Sequence, residues 1–222
     1  MKKKLISLLA LLAVGSVSFA QQWTPAGGNI RTRWAAEVSP ENARPEYPRP
    51  QMVRSHWQSL NGLWDYSISV KDAESMPAPE GKILVPFCVE SSLSGVGKRV
   101  DGDHALWYRT SLVKPDSWKG KNVLLHFDAV DWSAEVFIDG KQIASHTGGY
   151  TAFSVDVTEY IGENPVELTV RVWDPTDDPE YSVPRGKQVA NPHGIWYTPV
   201  TGIWQSVWME AVDSSAYIED YN

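Results

Sequence analysis

The residues best suited to chemistry fall in two segments of the C-terminal half. One is Trp173-Asp174-Pro175-Thr176-Asp177-Asp178-Pro179, where three carboxylates and two prolines follow an apolar run. The other is Asn191-Pro192-His193-Gly194-Ile195-Trp196-Tyr197-Thr198-Pro199-Val200-Thr201-Gly202-Ile203-Trp204, which sets three large aromatics among loop-forming residues. Carboxylates and amides hydrogen-bond sugar hydroxyls, while an aromatic face packs on the apolar side of a pyranose ring. The two segments together therefore supply both halves of a carbohydrate contact. A structural alternative is an acidic surface loop followed by a Trp-rich strand entry. Trp204 and Trp208 read as core residues of the last strand run, whereas Trp196 and Tyr197 fit either role.

Other chemistries are excluded or weak. There is no Gly-x-Ser-x-Gly and no P-loop, and Gly95-Val96-Gly97-Lys98-Arg99-Val100 lacks the last glycine of a dinucleotide fingerprint. His56, His104, His126, His146 and His193 show no metal-ligand spacing, and His126, inside an apolar run, reads as a satisfied structural histidine. Asp101-Gly102-Asp103-His104 is too poor in ligands for a calcium loop and reads as a solvated turn. A single cysteine, Cys88, rules out both a disulfide scaffold and a thiolate zinc site. With 20 Lys+Arg against 27 Asp+Glu, a net charge of −7, a nucleic-acid surface is excluded. No metal and no cofactor are expected.

The elements that must position these residues are strands. Apolar or aromatic residues alternate with polar ones over 63–70, and similar runs follow at 82–86, 107–113, 122–127, 134–138, 153–157, 166–173 and 203–212. Turn signals separate them, of which Asp139-Gly140 is the strongest hairpin signal. Eight or nine short strands without a convincing helix predict an all-β antiparallel sandwich, most simply a jelly roll. Residues 57–212 make this domain. Residues 21–56, with five prolines, form an extended Pro-rich N-terminal arm. Residues 213–222 read as a linker or the start of a further domain. Lys2-Lys3-Lys4, the apolar run 5–14 and Ser18-Phe19-Ala20 read as a signal peptide, 1–20, cut after Ala20. That run is too short to span a bilayer, so the product is expected to be periplasmic or secreted.

A resemblance extends this reading. Glu46-Tyr47-Pro48-Arg49-Pro50, Trp57-Gln58-Ser59-Leu60-Asn61-Gly62-Leu63-Trp64, Val85-Pro86-Phe87 with Glu90-Ser91, and Trp107-Tyr108-Arg109 are similar to the N-terminal part of glycoside hydrolase family 2. So are Leu125-His126-Phe127-Asp128-Ala129-Val130-Asp131, Gly148-Gly149-Tyr150-Thr151-Ala152-Phe153, Val172-Trp173-Asp174-Pro175-Thr176-Asp177 and Gly202-Ile203-Trp204-Gln205-Ser206-Val207. This is the family of β-galactosidases, β-glucuronidases and β-mannosidases, and the motifs stand in the family's order from about Trp34 to Val212. The resemblance implies a galactose-binding-like sugar-binding domain that precedes an immunoglobulin-like domain and a TIM barrel. It implies that Asp174 contacts a β-glycoside, with Glu90 and Ser91 on the same rim and His193, Trp196 and Tyr197 in the loop beyond. The family's acid/base glutamate follows an asparagine on the barrel, and this sequence has no Asn-Glu pair.

The expected role is therefore the sugar-binding or scaffold domain of an exported β-glycosidase, inactive without a barrel. Its sign would be an uncovered apolar patch around Trp196 or Tyr197. A stand-alone carbohydrate-binding module and a non-catalytic interaction domain are the alternatives.

Overall fold

Period-two alternation becomes two packed sheets in the computed structural model, which describes residues 23–28 and 30–219. The signal-peptide reading of 1–20 lies outside the described residues. Twelve strands run in order: β1 (Trp57–Ser59), β2 (Gly62–Val70), β3 (Gly81–Val85), β4 (His104–Leu112), β5 (Asn122–Phe127), β6 (Val130–Asp131), β7 (Ser133–Ile138), β8 (Lys141–Thr147), β9 (Phe153–Asp156), β10 (Val166–Trp173), β11 (Gly202–Ile203) and β12 (Val207–Val212). The described residues hold no helix beyond short 3-10 turns. A six-stranded sheet, β3-β2-β4-β10-β7-β8, packs on a four-stranded one, β1-β12-β5-β9, and β11 pairs with β6 in a separate two-stranded ribbon. Every strand pairing is antiparallel, as expected of a jelly-roll sandwich.

The inward positions of each strand build the core. Trp64, Tyr66, Leu106, Tyr108, Leu168, Val170, Val172 and Val136 come from the larger sheet and meet Val123, Leu125, Phe127, Val207 and Met209 of the smaller one. Each large apolar side chain buried this way contributes roughly 1.5–3 kcal/mol. The outward positions of the larger sheet carry a charge ladder instead, with Asp65 placed between Lys82 at 2.6 Å and Arg109 at 3.2 Å. The β7–β8 hairpin turns on Asp139 and Gly140 with φ of 48° and 76°, the left-handed pair that matches strand twist.

Two expectations change. The run 203–212 is not one strand, because residues 204–206 break it where Asn61 caps the next strand by accepting from Val207 N at 3.0 Å. Polar β8 adds an edge strand that apolar alternation did not reveal.

The outer face of the smaller sheet is covered by the arm. Glu210 of β12 points away from the core yet is fully buried, accepting from Tyr47 Oη at 2.9 Å, from Arg49 Nη2 at 2.5 Å and from Arg54. His126 Nε2 lies 3.2 Å from Glu210, and its ring stacks on Trp208 at 4.0 Å. Trp208 is thus buried as expected, but under the arm rather than inside the sandwich. Burial raises the pKa of Glu210, but bonding to His126 and the Arg49 charge outweigh it and bring the carboxyl to about 2.

Candidate carbohydrate-contact site

The strand ends of β10 and β6 and the segment after β3 deliver three carboxylates beneath the loop that runs from Asp174 to β11. Asp174 is 3% exposed. Its Oδ1 accepts from Thr176 N at 2.8 Å, and its Oδ2 accepts from Thr201 Oγ1 at 2.8 Å and Thr176 Oγ1 at 3.2 Å. Glu90, 6% exposed, accepts at Oε2 from Thr201 N at 3.0 Å. Thr201 therefore ties both acids to the returning chain. Asp131, also buried, accepts from Gln188 Nε2 at 3.3 Å, while Gln188 Oε1 accepts from Val200 N at 2.5 Å. The close approach of chain here requires glycine: a Cβ on Gly149 would meet the Asp131 carboxylate at 2.5 Å, and one on Gly202 would meet the Tyr108 hydroxyl at 2.0 Å.

Burial dominates the electrostatics. It pushes Glu90 up to about 7, against the hydrogen bonds from Thr201, with the Asp174 charge adding to the rise. Burial and the same Asp174 charge push Asp131 up to about 7. Asp174 is itself raised by burial. The neighbouring Cys88 thiol, pushed up to about 12 by burial, stays neutral and unreactive.

Two clefts flank this anchored loop. A cleft of about 470 Å³ opens between residues 99–102 and 175–179, with Asn191 and Pro199 on its far wall. Another of about 440 Å³ is lined by Cys88, Glu90, Ser91 and Ser92 on one side and residues 198–200 on the other. Both are large enough for a sugar residue. In the first, Asp177 is paired with Arg185 at 3.4 Å and accepts from Ala190 N, and Asp101 is held charged by His104. Among the described residues no group of three or more His, Cys, Asp or Glu side chains is arranged to hold a metal ion.

The five residues singled out in the sequence split in two. Asp174 and Glu90 come together through Thr201; Asp174 faces inward and acts on a ligand only through the loop it holds, while Glu90 also lines the second cleft. His193 and Trp196 close a tight turn by exchanging backbone hydrogen bonds at 3.2 and 2.9 Å, and Tyr197 beyond it bridges in parallel to Gln188, with Val189 N donating to Tyr197 O at 3.0 Å and Tyr197 N to Lys187 O at 2.8 Å. His193 is exposed and donates from Nδ1 to Asn191 O at 2.7 Å. Trp196 is half-buried with the Arg185 guanidinium 5.9 Å above its ring, and Tyr197 is 61% exposed. Asp131, Gln188 and Thr201 were missed as partners; only Asp131, at the end of an apolar stretch, leaves any local trace in the sequence.

A profile of the glycosyl hydrolase 2 galactose-binding domain-like family matches residues 94–195, from the turn after Glu90 to the His193–Trp196 turn. The β-galactosidase of Thermoanaerobacter pseudethanolicus is 31% identical over 163 residues, 73% of this chain and 20% of that protein. This chain belongs to the galactose-binding-like domain family of glycosyl hydrolase 2. The β-glucuronidase of Paenibacillus borealis is 34% identical to the family 2 domain over 133 residues, 56% of this chain and 22% of that protein. A solved β-glucuronidase of Ruminococcus gnavus shares the fold, with a TM-score of 0.57 at 21% identity over 76% of this chain and 30% of that one. The chain spans about a fifth of the length of these curated relatives.

Proposed function

We propose that this family 2 domain is the non-catalytic, carbohydrate-side domain of an exported β-glycosidase, and that glycosidic bond cleavage requires a catalytic domain placed against its loop end. One observation carries the reading. The acids that hold a proton near neutrality are Asp131, buried and bound to Gln188, and Glu90, which lines one cleft with its carboxylate tied to Thr201 N–H, whereas the acids of the other cleft, Asp101 and Asp177, are bound to His104 and Arg185. A glycosidase needs a protonated acid and an ionised carboxylate on either side of the same scissile bond. Here the two kinds of carboxyl are kept apart, and the domain's contribution becomes the positioning of its loops. The relatives named above are a β-galactosidase and β-glucuronidases, so the substrate is a β-glycoside. Exposed Tyr150, Ile195 and Tyr197, each more than 60% accessible, offer the surface that a partner domain and its sugar would meet.

The test is an assay of the purified, folded chain on aryl β-galactosides and β-glucuronides. No turnover above the blank is expected, and turnover that survives repurification overturns the reading.

A further inference from the structure

Asp131 stands where the loop 186–200 is fastened to the body of the domain. It is 4% exposed and lies in the β6–β11 ribbon opposite Gly202. The backbone of Gly149 presses close to its carboxylate, and Trp204 fixes that turn by donating from Nε1 to Gly149 O at 2.7 Å. On the loop side stands Gln188, itself buried, whose amide nitrogen donates to Asp131 Oδ2 at 3.3 Å. The same amide accepts at Oε1 from Val200 N, so one side chain joins both legs of the loop to Asp131. The charge that acts on Asp131 is that of Asp174, buried at the end of β10, and neither aspartate makes an ion pair among the described residues. The other titratable groups of the surrounding elements are engaged or turned to solvent. Glu90 reaches Asp174 only through Thr201, which donates to both, and the buried Tyr108 hydroxyl accepts from Ile203 N. His146, before the Gly149 turn, bonds to Thr151 and stacks on Phe153, Arg185 pairs with Asp177, and Lys187 is exposed.

We propose that Asp131 is a proton-dependent latch: with its proton it holds the loop 186–200 down through Gln188, and without it the loop lifts to let water reach the buried aspartates. A carboxylate enclosed beside a second one has lost its hydration and gained no counter-charge. The hydrogen bond from the neutral Gln188 amide offsets only part of that cost. Strand pairing fixes the β11 side and Trp204 fixes the Gly149 turn, so relief comes from the loop, where most of residues 190–198 are exposed and backbone bonds are few. The direction follows from the proton affinity. Burial and the Asp174 charge push Asp131 up to about 7 from an ordinary 3.8, so the closed loop binds the proton more tightly than the open one. Closure is therefore fullest below about 3.8 and is lost as pH rises through about 7. The loop carries Trp196 and the exposed Ile195 and Tyr197, so the surface offered to a partner is ordered on the acid side of neutrality and loosened above it. This device goes beyond the non-catalytic reading and does not rest on it.

The experiment follows backbone hydrogen exchange of the full chain at pH 5 and pH 8.5, each rate corrected for the intrinsic effect of pH on exchange. The amides of Val189, Tyr197 and Val200 should open about a hundredfold more often at pH 8.5, the ratio given by linkage for a carboxyl moved from 3.8 to about 7. Amides of β5 and β12 should stay slower than these at both pH values, because the opening is confined to the loop. Asp131→Asn cannot ionise and should cut the ratio at least tenfold. A wild-type ratio near one, a loop that exchanges only together with β5 and β12, or an Asp131→Asn protein with the wild-type ratio overturns the latch. The first two outcomes are read on the unaltered protein, so the test stands even where the variant does not fold. None of these results touches the non-catalytic reading, which falls only with turnover.

Discussion

Replacing Glu90 by glutamine should stabilise the protein at alkaline pH and change little at pH 5. An exposed glutamate titrates near 4.5, whereas Glu90 in the fold titrates at about 7. The folded state thus holds the proton more tightly than the unfolded chain. The associated stability is fully present below about 4.5 and is lost as pH rises through about 7. At 1.36 kcal/mol per pH unit, integration between pH 5 and 8.5 gives about 2.5 kcal/mol of stability lost by the wild type through this group alone. Glutamine offers an amide oxygen to the Thr201 N–H and carries no charge to bury, so it should remove that slope. The assay is urea denaturation of both proteins at pH 5 and 8.5, followed by tryptophan fluorescence. Denaturation midpoints that fall in parallel, or a variant less stable than the wild type at pH 8.5, would refute the burial argument for Glu90.

Other substitutions test other parts of the structure. Glu210→Ala leaves Arg49 and Arg54 without their shared partner and should cost about 3–5 kcal/mol, read as early proteolysis within residues 45–56. Because Glu210 titrates at about 2, its contribution should persist in acid and fade only as pH falls from about 4.5 through about 2, seen as the acid limb of a stability–pH curve. Thr201→Val deletes the donor to Asp174 while keeping the volume, and should cost about 1–3 kcal/mol by denaturant titration. Gly95→Ala puts a methyl 2.8 Å from the Trp23 indole at a φ of 81°; Trp23 should be displaced, with a red shift in tryptophan emission.

The strands 63–70 and 166–173 were legible because one face is more buried than the other, whereas 122–127, buried on both faces, was legible as a short apolar run. The β7–β8 turn was legible because left-handed backbone at Asp139 and Gly140 limits the choice of residue. β8 itself was not, since a solvated edge strand imposes no apolar face. The site was readable as a place but not as a geometry. Asp174 and the aromatic loop do meet at one end of the sandwich. Whether Asp174 faces a ligand or the interior depends on Thr201, 27 residues away in sequence, as well as on the local turn to Thr176. The same holds for Trp208: alternation marks it for burial without saying that Tyr47, Arg49 and His126 would supply the cover.

The placement of β12 sets a clock on folding. It lies between β1 and β5, so the four-stranded sheet stays in two pieces until residues 207–212 exist. Arg49 and Arg54 meet Glu210 across sequence separations of 161 and 156 residues. At translation rates of roughly 5–20 residues per second, the arm emerges about 10–30 s before its carboxylate does. Throughout that interval Tyr47 and the two arginines have no carboxylate to dock on, and the four-stranded sheet remains unable to close. A chaperone or membrane machinery that needs an open polypeptide has that window in which to engage it, and completion of the last strand shuts it.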